Sequence, residues 1–73
     1  MKMRTVIIDL AHGKSFYGKA CDMQKDRYDN LVAEFETKKV GSASLHTEDG
    51  VIIFKEDVLK NCVFKLEILE SED

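Results

Sequence analysis

Hydrophobic and polar residues alternate with a period of two near the start of the chain, which is typical of half-buried β-strands. One such segment covers residues 4–10 and a second covers residues 15–21, and the turn between them contains Gly13. Glycine readily adopts the positive φ that a tight turn requires. The pattern therefore predicts a β-hairpin over residues 4–21.

A helical period replaces this alternation after Asp22. An apolar stripe follows at the spacing i, i+3, i+4 and i+7, formed by Tyr28, Leu31, Val32 and Phe35. Asp22 is the preferred N-cap residue, and Gly41 after the basic pair Lys38-Lys39 is a typical helix stop. We therefore expect a helix from about residue 24 to residue 38 that packs its stripe against a sheet.

Alternation returns on both sides of Asp49-Gly50. This dipeptide is strongly favoured in two-residue hairpin turns, because a type I′ turn needs positive φ at both central residues. The sequence predicts a second hairpin in which Leu45 lies opposite Phe54.

The remainder of the chain predicts a connector and a last strand. Residues 55–61 are expected to form one helical turn anchored by Val58 and Leu59. Residues 62–69 alternate again, with Phe64 and Leu66 on one face and Val63 on the other. These features complete the predicted set of elements.

Together the elements predict a single α+β domain over residues 1–73, in the order ββαβββ, with a frayed acidic tail from about residue 70. The antiparallel sheet carries one helix on one face, and one helix cannot cover both faces. The second face is also apolar on this alternation, with Ile7, Tyr17, Val51, Ile53 and Val63. Either the sheet curls into a small barrel, or this face is buried in a homo-oligomer, a dimer or higher.

Composition and charge narrow the class of partner. Hydrophobic residues make up 44% of the chain and charged residues 34%, a composition typical of globular rather than disordered proteins. The net charge of −3 and the single adjacent basic pair argue against nucleic-acid binding, which depends on clustered Lys and Arg. No apolar run is long enough for a membrane span. Cys21 and Cys62 are expected to be reduced thiols in the cytoplasm.

The sequence contains no motif that predicts catalysis or a metal site. Gly13-Lys14-Ser15 resembles the end of a phosphate-binding loop, but Ile8 occupies the position of the first glycine and a strand follows. The histidines and cysteines lack the short spacings of zinc sites. We expect no cofactor, no metal and no enzymatic activity.

Two strings carry a resemblance to a known group of proteins. F-Y-G-K-A (residues 16–20) stands ahead of the predicted helix, and T-E-D-G-V-I-I-F (residues 47–54) stands ahead of the last strand. In this layout the chain resembles short accessory proteins that bacteriophages and prophages encode, often in Gram-positive hosts. The resemblance covers most of the chain and implies a small product that acts on a host protein, a host defence or a signalling component. No catalytic motif accompanies it, so it assigns no functional residue.

Three functions follow as hypotheses. The first is a non-enzymatic binding or inhibitor module with a protein partner. The second is an RNA-binding Sm-like barrel, in which Phe16 and Tyr17 stack on bases while Lys14 and Lys19 bind phosphates. The third is an oligomer that sequesters a small nucleotide, with His12, Lys14 and Arg27 as its ligand-binding residues.

Overall fold

Short strands alternate with two helices along the chain, and the computed structural model describes residues 1–37 and 41–70. The elements are β1 (Lys2–Asp9), β2 (Lys14–Tyr17), β3 (Cys21–Asp22), α1 (Lys25–Thr37), β4 (Ala43–Thr47), β5 (Gly50–Phe54), α2 (Glu56–Leu59) and β6 (Cys62–Glu70). The predicted α+β class with antiparallel pairing is confirmed. The predicted basic last turn at Lys38-Lys39 and the tail over residues 71–73 lie outside the described residues. Within the described part, neither helix is long and apolar enough to cross a membrane.

Strand β1 is the centre of the larger sheet. It pairs with β6 along one edge, and with β2 and then β3 along the other. Strands β4 and β5 form a separate two-stranded sheet. The described strands therefore form two sheets rather than the single antiparallel sheet expected, and they do not close into a barrel. Because the chain leaves β1 between β2 and β3, the Lys19 N–H donates to the His46 carbonyl of β4 at 2.7 Å instead.

The core lies between the two sheets and centres on Ile7. Ile7 pairs with Phe16 of β2 and with Phe64 of β6. The β4–β5 hairpin covers this face with Leu45 and Phe54, and α2 adds Leu59, whereas the predicted second anchor Val58 is exposed. The rings of Phe16 and Phe54 meet edge to face with their centroids 5.4 Å apart.

Ile7 was expected on the second sheet face beside Tyr17 and Val63, and the pairing register contradicts this. Cross-strand partners share a face, so Ile7 lies with Phe16 and Phe64. Its side chain is only 1% exposed. Val6 and Ile8 take the other face, where they pair with Tyr17 and Val63. Both faces of β1 carry buried apolar residues, so alternation alone does not say which face is the core.

Val51 and Ile53 also do not share a surface with Tyr17 and Val63. They lie on the outer face of the β4–β5 hairpin, where they pair with His46 and Ser44. Tyr17 and Val63 lie on the open face of the larger sheet, which is the face away from Ile7. The apolar surface predicted from the sequence is therefore divided between two sheets.

The second hairpin turns one residue earlier than predicted. Its two turn residues are Glu48 and Asp49, and Gly50 is the first residue of β5, opposite Thr47. Gly50 has no positive φ, whereas Gly13 in the first hairpin has φ of 64° as expected. Consequently Leu45 pairs with Ile52 rather than Phe54.

Helix α1 confirms the predicted stripe but buries it only partly. The helix begins at Lys25, and the Gln24 carbonyl accepts from the Tyr28 N–H at 3.0 Å. The expected N-cap residue Asp22 instead lies in β3, opposite Lys2. The stripe faces the larger sheet, yet its four side chains, Tyr28, Leu31, Val32 and Phe35, are half-buried. Helix α1 is thus a loosely packed layer beside a tight core.

Replacing Leu45 tests the position of the core. Leu45 is almost fully buried, so Leu45→Ala is expected to lower the free energy of unfolding by about 2–5 kcal/mol. Ile53 on the same hairpin is 63% exposed, and Ile53→Ala is expected to change it by less than about 0.5 kcal/mol. Urea denaturation measures both, and equal losses would contradict the assignment of the inner face.

Replacing Gly18 tests the junction between the sheets. An added Cβ would lie 2.8 Å from Leu45 Cδ1 and 2.9 Å from the Thr5 carbonyl oxygen. Gly18→Ala is therefore expected to cost about 1–3 kcal/mol, as overpacking does. A Cβ at Gly50 meets nothing within 4 Å, so Gly50→Ala is the matched control and is expected to stabilise by about 0.4–1 kcal/mol. A tolerated Gly18→Ala in thermal denaturation would show that this junction is not tight.

Candidate binding groove between α1 and β6

The outer edge of β6 exposes backbone hydrogen-bonding groups. The Gly18 N–H donates to the Thr5 carbonyl at 2.7 Å, in register with the β1–β2 pairing. Odd-numbered residues of β1 therefore direct their backbone groups towards β2 and β3, and even-numbered ones towards β6. Phe64 and Leu66 lie opposite Ile7 and Thr5, so their own N–H and C=O groups point away from β1.

A side chain contacts this edge at one point. The Tyr28 hydroxyl of α1 donates to the Leu66 carbonyl at 2.9 Å, which agrees with an outward direction of that group. Strand β6 has a neighbour on one edge only among the described strands. An open edge of this kind is a template for pairing with another strand.

An open groove of about 530 Å³ runs between α1 and this edge. Its helix side consists of Tyr28, Val32 and Phe35, and its strand side consists of Phe64 and Leu66. The rings of Phe35 and Phe64 have centroids 5.3 Å apart and close one end of the apolar surface. The half-buried stripe of α1 therefore leaves apolar surface available beside the outward-facing backbone groups of β6.

Two charged residues lie at the rim of the groove. Glu36 is exposed on α1, and Lys65 is exposed on β6. The Lys65 ammonium lies 3.7 Å from Glu67 Oε2, and Glu67 Oε1 accepts from the Arg4 guanidinium at 2.8 Å. Lys65 and Glu67 of β6 lie on the open sheet face, where the Arg4 guanidinium of β1 also lies 4.5 Å from the ring centroid of Tyr17.

A smaller groove of about 240 Å³ lies on the other side of Phe35. It is bounded by Leu31 of α1, by Gly18 and Lys19 where the chain leaves β1, and by Leu45 of the hairpin. A groove therefore lies between α1 and the rest of the protein on each side of Phe35. This explains why the stripe contacts the sheet without being fully buried.

The residues predicted to bind a nucleotide do not converge. His12 lies in the loop between β1 and β2, and Lys14 begins β2, opposite Asp9 at one end of β1. Arg27 lies in the first turn of α1, shortly after β3, which pairs with Lys2 and Met3 at the opposite end of β1. The fold therefore places Arg27 at a different end of the sheet from the other two.

The residues predicted to stack on RNA bases are engaged within the fold. Phe16 packs into the core against Phe54. Tyr17 keeps about half of its surface, but the Arg4 guanidinium covers one face of its ring. Neither aromatic ring therefore presents two free faces for stacking.

Asp9, His12 and Cys62 form a small polar cluster at the end of β1. The nearly buried Asp9 carboxylate accepts from His12 Nδ1 at 2.8 Å and from the Ala11 N–H at 3.0 Å. The hydrogen bond from His12 lowers the pKa of Asp9, against the opposing effect of burial. Burial, and then the Asp9 charge, raise the pKa of the Cys62 thiol, which donates to the Val58 carbonyl at 3.3 Å. A protonated thiol is a poor nucleophile. The hydrogen bonds of Asp9 to Ala11 and His12 therefore favour a role in holding the loop after β1 over a role in catalysis.

Both cysteines are free thiols. Cys21 and Cys62 pair with Met3 and Asp9, which share a face at opposite ends of β1. The break at residues 18–20 changes the alternation between β2 and β3, and this places Cys21 on the core side. No group of three potential metal ligands occurs among the described residues.

The groove between α1 and β6 is not apparent from the sequence. The sequence predicts the helix stripe and the alternation of β6, but not that β6 lies at the edge of the sheet beside α1. That placement depends on the pairing of β1 with β6, which are more than fifty residues apart. No local signal in the sequence specifies it.

Comparisons with protein-family models, with curated proteins and with solved structures find no significant match to this chain. The functional assignment therefore depends on the geometry of the protein itself.

Asp9 is expected to make stability depend on pH. The pKa of Asp9 is lowered by folding, so the contribution of its carboxylate to stability is present above the ordinary value of 3.8 and is lost as the pH falls through the lower folded value. Asp9→Asn should therefore destabilise the protein at pH 7, and the difference from wild type should shrink in acid. Urea denaturation at pH 7 and in acid measures the difference in the free energy of unfolding, with Asp26→Asn on the exposed side of α1 as the control. A difference that does not change with pH would contradict the role of the carboxylate.

Proposed function

We propose that this protein is a small non-enzymatic binding module that holds an extended segment of a protein partner along the outer edge of β6. The observation that carries the proposal is the combination of outward-facing backbone groups on Phe64 and Leu66 with the apolar side of α1 across the groove. Main-chain hydrogen bonds supply affinity in such strand addition, and side-chain pockets supply specificity.

The dimensions of the site suit an added strand. Neighbouring strands in a sheet lie about 4.8 Å apart, so an incoming strand would lie along β6 with alternate side chains directed towards α1. Those side chains would meet Tyr28, Val32 and Phe35, whose apolar surfaces are only partly covered. The remaining side chains would extend the open face of the larger sheet.

The chemistry of the site also indicates the chemistry of the partner. An apolar groove with Glu36 and Lys65 at its rim favours a segment that alternates apolar and polar residues. The resemblance to phage accessory proteins makes a host protein or a defence component the first class to test, with inhibition as the expected effect. Free thiols fit a place of action in the cytoplasm.

A random peptide display library, selected against the native protein, tests this proposal. Selected peptides should bind wild type and lose affinity about tenfold or more with Val32→Asp, because a carboxylate then enters the apolar groove. Asn30→Asp adds the same charge on the exposed side of α1 and should leave the affinity within about twofold. Fluorescence anisotropy measures the affinities, and circular dichroism verifies the fold of each variant.

Two outcomes would contradict the proposal. One is that no peptide with an extended, alternating pattern is selected. The other is that the selected peptides bind both variants equally, which would place the binding surface elsewhere on the protein.

A further inference from the structure

Two of the three charged residues of β6 flank Leu66 and have opposite signs. Lys65 precedes it and Glu67 follows it, and both side chains lie on the open face, since they pair with Val6 and Arg4 of β1. The N–H and C=O groups of Leu66 itself point out of the sheet. A two-fold axis at Leu66 would therefore pair β6 with β6 of a second copy in an antiparallel ladder.

The charges select this register over its neighbours. With the axis at Leu66, Lys65 of each copy lies opposite Glu67 of the other, which gives two favourable pairs. An axis one residue earlier places two Lys65 side chains opposite each other, and one residue later it places two Glu67 side chains opposite each other. Like charges directly opposite are destabilising. An axis at Phe64 leaves Lys65 opposite Val63, with no charge paired.

The same register covers exposed apolar side chains. Val63, Ile68 and Leu69 are 44%, 48% and 40% exposed in the single chain. The axis at Leu66 brings Phe64 opposite Ile68 on each side of the centre, and it brings Val63 close to Leu69, where the pairing of β6 with β1 shifts register. Apolar residues thus flank the two charge pairs on each side of the centre.

The hydrogen bond from Tyr28 is compatible with this ladder. A carbonyl oxygen has two lone pairs, so the Leu66 carbonyl can accept from Tyr28 and also from the Leu66 N–H of the second copy. The charged side chains that meet lie on the sheet face away from the core and α1. The central pair of the ladder therefore forms without loss of an existing bond.

We infer that the occupant of the β6 edge in the free protein is a second copy of the chain, in a two-fold dimer with one continuous sheet. As a consequence that rests on the proposed function, the dimer and the partner compete for the same edge. The dimer then occupies the β6 edge, and a partner binds only the dissociated monomer. The apparent affinity for a partner falls as the concentration of this protein rises.

Charge exchange tests the dimer. Lys65→Glu places carboxylates opposite each other at both symmetry-related positions, so the dimer dissociation constant should rise about tenfold or more. The double variant Lys65→Glu with Glu67→Lys restores opposite charges and should recover most of the affinity. Lys55→Glu, in the connector before α2, changes the net charge equally and should have no comparable effect. Sedimentation equilibrium over a range of concentrations measures all four proteins, and thermal denaturation verifies the double variant, because Arg4 loses its partner there.

Hydrogen exchange identifies the surface. The amides of Phe64, Leu66 and Ile68 should be protected at concentrations where the dimer forms and exchange faster on dilution. The inference is wrong if the protein is monomeric throughout, if a dimer leaves these amides unprotected, or if the double variant does not recover. None of these measurements uses a peptide, so the dimer can fail while peptide binding at low concentration succeeds, and the reverse.

Discussion

The pairing of β1 on both of its edges is the constraint on which the rest of the structure depends. It holds Ile7 between Phe16 and Phe64 and so defines the face that the β4–β5 hairpin covers. Successive residues of β1 direct their backbone N–H and C=O groups alternately towards its two neighbours. This alternation determines which backbone groups of β6 face outward. The pairing of β1 therefore accounts both for the small core and for the open edge of β6. In a chain of 73 residues, a single core cannot extend far enough to cover that edge as well.

The elements that depend on local chemistry could be predicted from the sequence. Gly13 marks the first turn, the stripe from Tyr28 to Phe35 marks α1, and the alternation after Cys62 marks β6. The second hairpin shows how a local error can be harmless. Its turn was placed one residue late, which shifts the pairing by two residues, and a shift of two keeps Leu45 and Phe54 on the inner face.

Features that depend on distant pairing could not be predicted in the same way. β1 is apolar on both faces, and Val6 is nearly as buried as Ile7, so the alternation gives no preference for either face. The separation of the hairpin from the larger sheet follows from the departure of the chain at Gly18, where a side chain would clash with Leu45. The candidate site depends on both of these features, the choice of the core face of β1 and the separation of the hairpin. It is formed by the edge of β6 and a helix whose stripe is left partly open, and neither is visible in a local segment.

An open strand edge is a hazard for a soluble protein, and charged residues are a common means of protecting it. Lys65 and Glu67 supply such charges on β6. Their arrangement about Leu66 has a further effect, because it favours one pairing while disfavouring the registers on either side. In the proposed mode of binding, the two residues restrict which strands can add rather than preventing addition altogether. A partner would then need a complementary charge pattern as well as apolar side chains for the groove, and this requirement would give a small site with few contacts a means of specificity.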